Sequence, residues 1–259
     1  MALVEVKKHV PSATIILNRP DRRNALSRRM MVDLLQAFED FHTEKSVCAV
    51  ILTGAGNAFC AGMDLAEMSD TTKQSNAQEQ WYHDAVQYKE LVEYMLRFPK
   101  PIIAAVNGPA VAGGAGLVLA CDMTIAGEQS RFGLPEPRRG LAAGLVAPLL
   151  AFRIGSGYAA KLLLSAELID AREAHRVNLF HEVVAQDLVW ARAHALAEQC
   201  SKSAAEALQL TKKMLNETIG EHLGVLLSAG AAASATARTT EAASEGLNAF
   251  LEKREPQWP

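Results

Sequence analysis

Apolar residues follow two rhythms along this chain. Short unbroken runs at Thr14–Leu17, Val47–Thr53, Ile102–Val106 and Met123–Ala126 have the length and β-branched content of buried strands. Elsewhere the apolar positions recur every three or four residues. Behind Ser27, a helix N-cap by type, Met31, Leu34, Leu35, Phe38 and Phe41 share one helical face. Trp81, Tyr88, Leu91, Tyr94 and Met95 mark a second helix running to Arg97, stopped by Phe98-Pro-Lys-Pro101. The polar stretch Ser69–Gln80 before it reads as a loop or a frayed helix. Ala159–Leu164, Asp170–Asn178 and Gln186–Met214 read as amphipathic helices, with a short strand at His181–Val184. The Ala-rich Ala229–Ala237 is helix-compatible. From Thr239 to Arg254, Ala243, Leu247, Phe250 and Leu251 line one face of a last helix, which Pro256 ends. The pattern predicts an α/β fold with a helical C-terminal part, and no Gly/Ser linker divides it.

Composition narrows the function classes. At 259 residues, 49% hydrophobic and 21% charged, the chain can bury a large core. A net charge of −3 gives no reason to expect a nucleic-acid or membrane partner, and Gly and Ala break the longest apolar run short of a membrane span. The N-terminus carries no basic-then-apolar leader, so a cytoplasmic protein is expected, with mitochondrial import open if this is a mature form. Cys48, Cys60, Cys121 and Cys200 lie far apart without a CxxC pair, and the seven histidines form no HExxH, so no metal is expected. There is no G-x-S-x-G elbow and no Walker A loop. Gly54-Ala-Gly56 follows a strand, but Phe59 stands where a dinucleotide fingerprint needs its third glycine.

Candidate chemistry gathers in three stretches. In Pro101–Asp122, PIIAAVNGPAVAGGAGLVLACD, a strand passes through Asn107-Gly108-Pro109 and a Gly-rich segment into an apolar helix. Without Cβ atoms, Gly113, Gly114 and Gly116 allow close backbone approach. Free amides at a helix start suit an anionic or polarised oxygen, although a tight packing turn would use the same residues. The second stretch is FCAGMDL, Phe59–Leu65, where Asp64 is placed to cap a helix or to serve as an acid. The third is FGLPEPRRGL, Phe132–Leu141, where Pro135 and Pro137 stiffen the loop around Glu136.

With LNRPDRRNAL near the start and AFLEKREPQW at the end, these ordered motifs resemble the crotonase (enoyl-CoA hydratase/isomerase) family over nearly the whole chain. The resemblance implies a core of repeated ββα turns, the crotonase-like ββα superhelix, over about residues 1–200. A helical C-terminal trimerisation region, 201–259, would follow it. It implies an acyl-CoA thioester substrate with no separate cofactor, and a homotrimer or homohexamer. Matched motif by motif, the backbone amides of Met63 and Gly113 would form an oxyanion hole and Glu136 would act as acid/base. Ala61, Asp64, Leu65, Gly114 and Gly116 would line the substrate site. Arg22, with Arg19 and Arg23 at the same turn, would face the CoA phosphates, and Lys253 would approach CoA near a subunit boundary.

One departure bears on the reaction. The family's hydratases carry a second glutamate twenty residues before the first, and that position is Gly116. Loss of this group disfavours two-carboxylate hydration and favours a double-bond shift, C–C cleavage, decarboxylation or another enolate reaction run by one acid. Asp64, Glu79 or His83 could supply a second group. Trp81, His83 and Tyr88, in the region that covers the acyl pocket in this family, could line it or simply pack. A CoA-ester binder without activity is the alternative from another class.

Overall fold

The computed structural model describes residues 2–258. A six-stranded sheet runs in the order β1 (Val4–His9), β2 (Ser12–Leu17), β3 (Ala49–Gly54), β4 (Ile102–Val106), β6 (Met123–Gly127), β9 (Glu182–Val184). Only β1 is antiparallel to its neighbour. Strand β4 is buried along its whole length, as the centre of a parallel sheet covered on both faces must be. One face packs on α1 (Arg28–His42), α3 (Ala77–Arg97) and α4 (Gly113–Ala120) through Leu34, Phe38, Val92 and Leu117. The other packs on α8 (Val189–Cys200) through Val189, Ala193 and Ala197.

A second sheet is built from three short strands, β5 (Ala110–Val111), β7 (Arg131–Gly133) and β8 (Leu168–Asp170), which interleave in sequence with later strands of the first. It carries the chain into and out of the Gly-rich and Pro-rich loops. Helix α2 (Leu65–Thr72) and helices α5 (Val146–Ile154), α6 (Ser156–Ser165) and α7 (Ala171–Arg176) fill the spaces between. After α9 (Ala205–Lys213) the chain takes a wide π-type turn, Met214–Ile219, into α10 (Leu223–Ala237) and α11 (Glu241–Glu252). Helix α10 packs against α3 and α5, and α11 against α2 and the 3₁₀ turn Glu136–Arg139.

The buried strands and long helices stand close to the positions their patterns predict. Three features differ. Strand β1 has charged residues on its exposed edge and only partial burial, so no apolar run marks it. The segment Gln186–Met214 is two helices, because the chain turns at Ser201–Ser203 between Cys200 and Ala205. The polar Ser69–Gln80 is mostly ordered: α2 continues to Thr72 and α3 begins at Ala77. Among the described residues, no helix is long and apolar enough to cross a membrane. On α11, Ala243 and Leu247 are buried in this chain's own core, while Phe250 and Leu251 stay 43% and 44% exposed.

Candidate active site

A cavity of about 600 Å³ opens where the three motif stretches meet. Ala61, Met63 and Leu65 line it from one loop, Gly113 from the start of α4, and Pro135 and Glu136 from the Pro-rich turn. Helices α3 and α10 close it with Ala85, Tyr88, Ser234 and Arg238.

The loop bearing Met63 is fixed by an isolated bridge to Leu26: the Leu26 amide donates to Gly62 O at 2.7 Å and the Asp64 amide to Leu26 O at 2.9 Å. Gly62 O and Asp64 N therefore point towards Leu26, which turns the Met63 N–H the opposite way. It has no acceptor among the described residues. Gly113 is the first residue of α4, so its amide is one of the orphan donors of a helix start. It too has no protein acceptor among the described residues. Ala112 before it sits at φ 53°, ψ −123°, a costly conformation for a residue with a Cβ. Its own amide donates to Gly133 O at 3.0 Å, which anchors that bend. At Gly62 (φ +90°), an added Cβ would lie 2.8 Å from Ala112 Cβ and 3.2 Å from Gly113 N, so the two loops touch where the free amides are.

Three side chains hold this scaffold. Asp64 caps α2, accepting from the Ala66 amide at 3.1 Å, and its other oxygen accepts from Arg19 Nη2 at 2.9 Å. Asn24, fully buried at φ 57°, donates to Ala55 O, Ala58 O and Phe59 O and accepts from the Arg19 amide. Asn107 ties the same loop from the β4 side, donating to Gly54 O at 2.8 Å and Gly56 O at 3.0 Å.

Glu136 is the single carboxyl group among the described residues lining the cavity. Its Oε2 is buried and has no hydrogen-bond partner among the described residues. Burial pushes its pKa from 4.5 up to about 7, opposed only by a hydrogen bond to its own backbone. Near neutral pH both protonation states are populated, which suits a group that takes a proton and returns it.

The position of the absent second glutamate is occupied. A Cβ built on Gly116 would lie 2.1 Å from the Tyr88 hydroxyl and 3.3 Å from its Cζ. That hydroxyl donates to Gly113 O at 2.6 Å. Burial raises the phenol pKa well above 10, with the Cys60 and Glu136 charges adding to it, so the group stays protonated. Tyrosine from α3 thus fills the space over Gly116, and a carboxylate cannot be added there while it stays.

None of the three candidates for a second acid faces the cavity. Asp64 is committed to Arg19 and the α2 cap. Glu79 and His83 are exposed on α3 and lie outside the cavity lining. Of the three α3 side chains considered for the pocket, only Tyr88 lines it; Trp81 is buried away from the lining. Gly114 is packed against Cys60, where a Cβ would come 2.3 Å from its carbonyl oxygen, and neither it nor Gly116 has surface in the cavity. Arg22 also lies outside the lining, whereas Arg23, turned at φ 50°, is part of it with Arg131, Arg138 and Arg139. Lys253 is exposed at the end of α11, outside this chain's cavity.

Ser234 and Arg238 are lining residues that no motif announces, while Arg139 and Phe250 lie inside the motif stretches without having been singled out for the site. Only the apolar stripe of the last helix pointed to Phe250. Its ring stacks under the Arg139 guanidinium, 4.7 Å from centroid to Cζ.

The family model described as enoyl-CoA hydratase/isomerase matches residues 9–259. A Thermus thermophilus protein with the provisional name enoyl-CoA hydratase is 42% identical over 257 residues, 99% of this chain and 100% of that one. The 2,3-dehydroadipyl-CoA hydratase of Escherichia coli K12 is 34% identical, covering 94% of this chain and 93% of that one. Among solved structures, an enoyl-CoA hydratase/isomerase from Xanthobacter autotrophicus Py2 superposes with a TM-score of 0.89 at 29% identity, over 100% of this chain and 99% of that one.

Proposed function

Because this chain belongs to the enoyl-CoA hydratase/isomerase family and is an enzyme acting on acyl-CoA, we propose that it works with one carboxyl group on a thioester enolate. The reaction this supports best is a shift of a double bond between the α,β and β,γ positions of an enoyl-CoA. The observation that carries it is the pairing of a half-titrated, unpartnered Glu136 with a Tyr88 that occupies the second acid's place.

The thioester oxygen lies against the Met63 and Gly113 amides, whose fixed dipoles stabilise the developing enolate. The Glu136 carboxylate takes a proton from the α-carbon of a 3-enoyl thioester, and the C–H electron pair moves into the enolate. Glu136, now the acid, delivers that proton to the γ-carbon as the electrons return through the chain. The product is the 2-enoyl thioester with the oxygen again a carbonyl. Every proton moved is carried by one side chain, so no group beyond the substrate's own CoA is required. Arg23, Arg131, Arg138 and Arg139 at the cavity rim supply positive charge for the CoA phosphates.

Hydration is the second reading, favoured by relatives that are named hydratases. It would need Glu136 to activate the water and later supply the α-proton alone. Turnover of short 3-enoyl- and 2-enoyl-CoA esters, followed separately, tests the choice: the double-bond shift should outpace hydration, and the reverse ranking would reject it.

We further propose a homotrimeric or homohexameric assembly. In its support, α10 and α11 leave Val225 (72% exposed), Leu226, Phe250 and Leu251 uncovered on this chain. Light scattering should give a mass near three or six chains, and an active monomer would refute this.

A further inference from the structure

The cavity lining includes a largely buried cation whose neighbouring carboxylate is shared with another arginine. Arg238, just after α10, lines the cavity with its side chain only 8% exposed. Its Nη1 is buried without a hydrogen-bond partner. The nearest carboxylate, Asp84 on α3, lies 3.9 Å away and is already engaged. Arg28 donates to both its oxygens, at 2.6 and 2.8 Å, and Gln80 donates at 2.8 Å. Two guanidinium groups therefore share one buried carboxylate, and Arg238 is the one left without a hydrogen bond to it. Burial works against its charge, lowering its pKa from the ordinary arginine range. A buried cation with an idle donor is costly, and such a group calls for a partner.

Its position suggests that partner. Asp84 and Tyr88 are four residues apart on α3, so they are neighbours on one helix face, about 6 Å apart. Tyr88 sits over Gly113, beside the amide assigned to the thioester oxygen. Arg238, against Asp84, thus lines the same cavity about one turn of α3 from Tyr88. The walls between are apolar: Leu65, Met68, Ala85, Leu145 and Val146. Ser234, one turn before Arg238 on the same helix, adds a hydroxyl to the lining, although it is weakly engaged with Ala142 O at 3.3 Å.

From this geometry we infer that the cavity selects acyl-CoA esters whose short acyl chain ends in a carboxylate, received by the guanidinium group of Arg238. The inference rests on the acyl-CoA reading of the site. An apolar stem in contact with Leu65, Met68 and Ala85 and an anionic end at a buried guanidinium would pair a cation that the fold leaves without a hydrogen bond.

Isothermal titration of the full-length protein with glutaryl-CoA and pentanoyl-CoA, equal in chain length, tests it. Wild type should bind glutaryl-CoA about ten- to a hundredfold tighter, the range of one charge-assisted pair out of water. In Arg238→Met that preference should vanish or reverse, and in Arg238→Lys it should partly return. Equal affinities in wild type would overturn the inference even if the variants fail to fold. A preference that survives unchanged in Arg238→Met would overturn it too, moving the recognition to another arginine of the rim. Failure of both thioesters to bind would refute the acyl-CoA reading itself.

Discussion

Replacing Glu136 with glutamine separates the acid/base role from the structural one, because both effects have a worked size. The carboxyl pKa rises from 4.5 to about 7 through burial. At 1.36 kcal/mol per pH unit, that rise is about 3 kcal/mol of differential stability. The folded-state value lies above the unfolded one. The favourable neutral form is therefore fully present below pH 4.5, and the stability it confers is lost as pH climbs through 7. A glutamine side chain does not titrate. The variant should match wild type near pH 4.5 and exceed it at pH 8 by up to about 3 kcal/mol, roughly 6–12 °C in melting midpoint for a chain of this size. Turnover should fall by about 10²–10⁴-fold at pH 8 and by much less at pH 4.5, where the wild-type group is itself mostly protonated. Calorimetric melting at the two pH values, beside a thioester turnover assay, reads both. Identical midpoints at pH 8 would mean that the carboxylate is not held against its charge. Undiminished turnover would remove Glu136 from the reaction.

Four further outcomes follow from the same geometry. The wild-type kcat/KM for the double-bond shift should rise with pH through an apparent pKa near 7, since the first step needs the carboxylate; a pH-independent rate would contradict this. Gly116→Glu should gain no hydratase activity and should lower the melting midpoint, because its Cβ meets Tyr88 at 2.1 Å, while Gly116→Glu with Tyr88→Ala should fold better and gain hydration. Asp64→Ala removes a helix cap and the partner of Arg19, and should cost about 1–2 kcal/mol in chemical denaturation. Gly113→Pro deletes one of the two free amides and should abolish turnover, with thioester binding read by titration to confirm that the site persists.

Sequence and structure agree most where periodicity is strong. The buried run Ile102–Val106 could only be an interior strand, and the Ser27 cap with its apolar face could only be a helix. Glu136, Met63 and Gly113 were nominated by the resemblance of the motifs around them, and the fold brings all three to one cavity. The content of the Gly116 site was not legible. Its occupant, Tyr88, comes from a helix 28 residues away in sequence, and one position in a helical stripe looks like any other core aromatic. The same holds for Arg238, which no motif marks and which gains meaning only from its lack of a partner in the folded chain. Asn24 lay inside a quoted motif, yet its three carbonyl acceptors belong to a loop more than thirty residues on. Long-range pairing of this kind leaves no local signal.

The claim at the centre of this account is that one side chain carries the proton between two carbons of the substrate. A short 3-enoyl-CoA deuterated at its α-carbon, followed by NMR through a single turnover, tests it most directly. Transfer by Glu136, whose unpartnered Oε2 is shielded from solvent, predicts a 2-enoyl product with a measurable share of the deuterium on its γ-carbon, lost together with turnover in Glu136→Gln. A product carrying only solvent protons at that carbon, or a 3-hydroxyacyl thioester formed faster than the double bond moves, would contradict it.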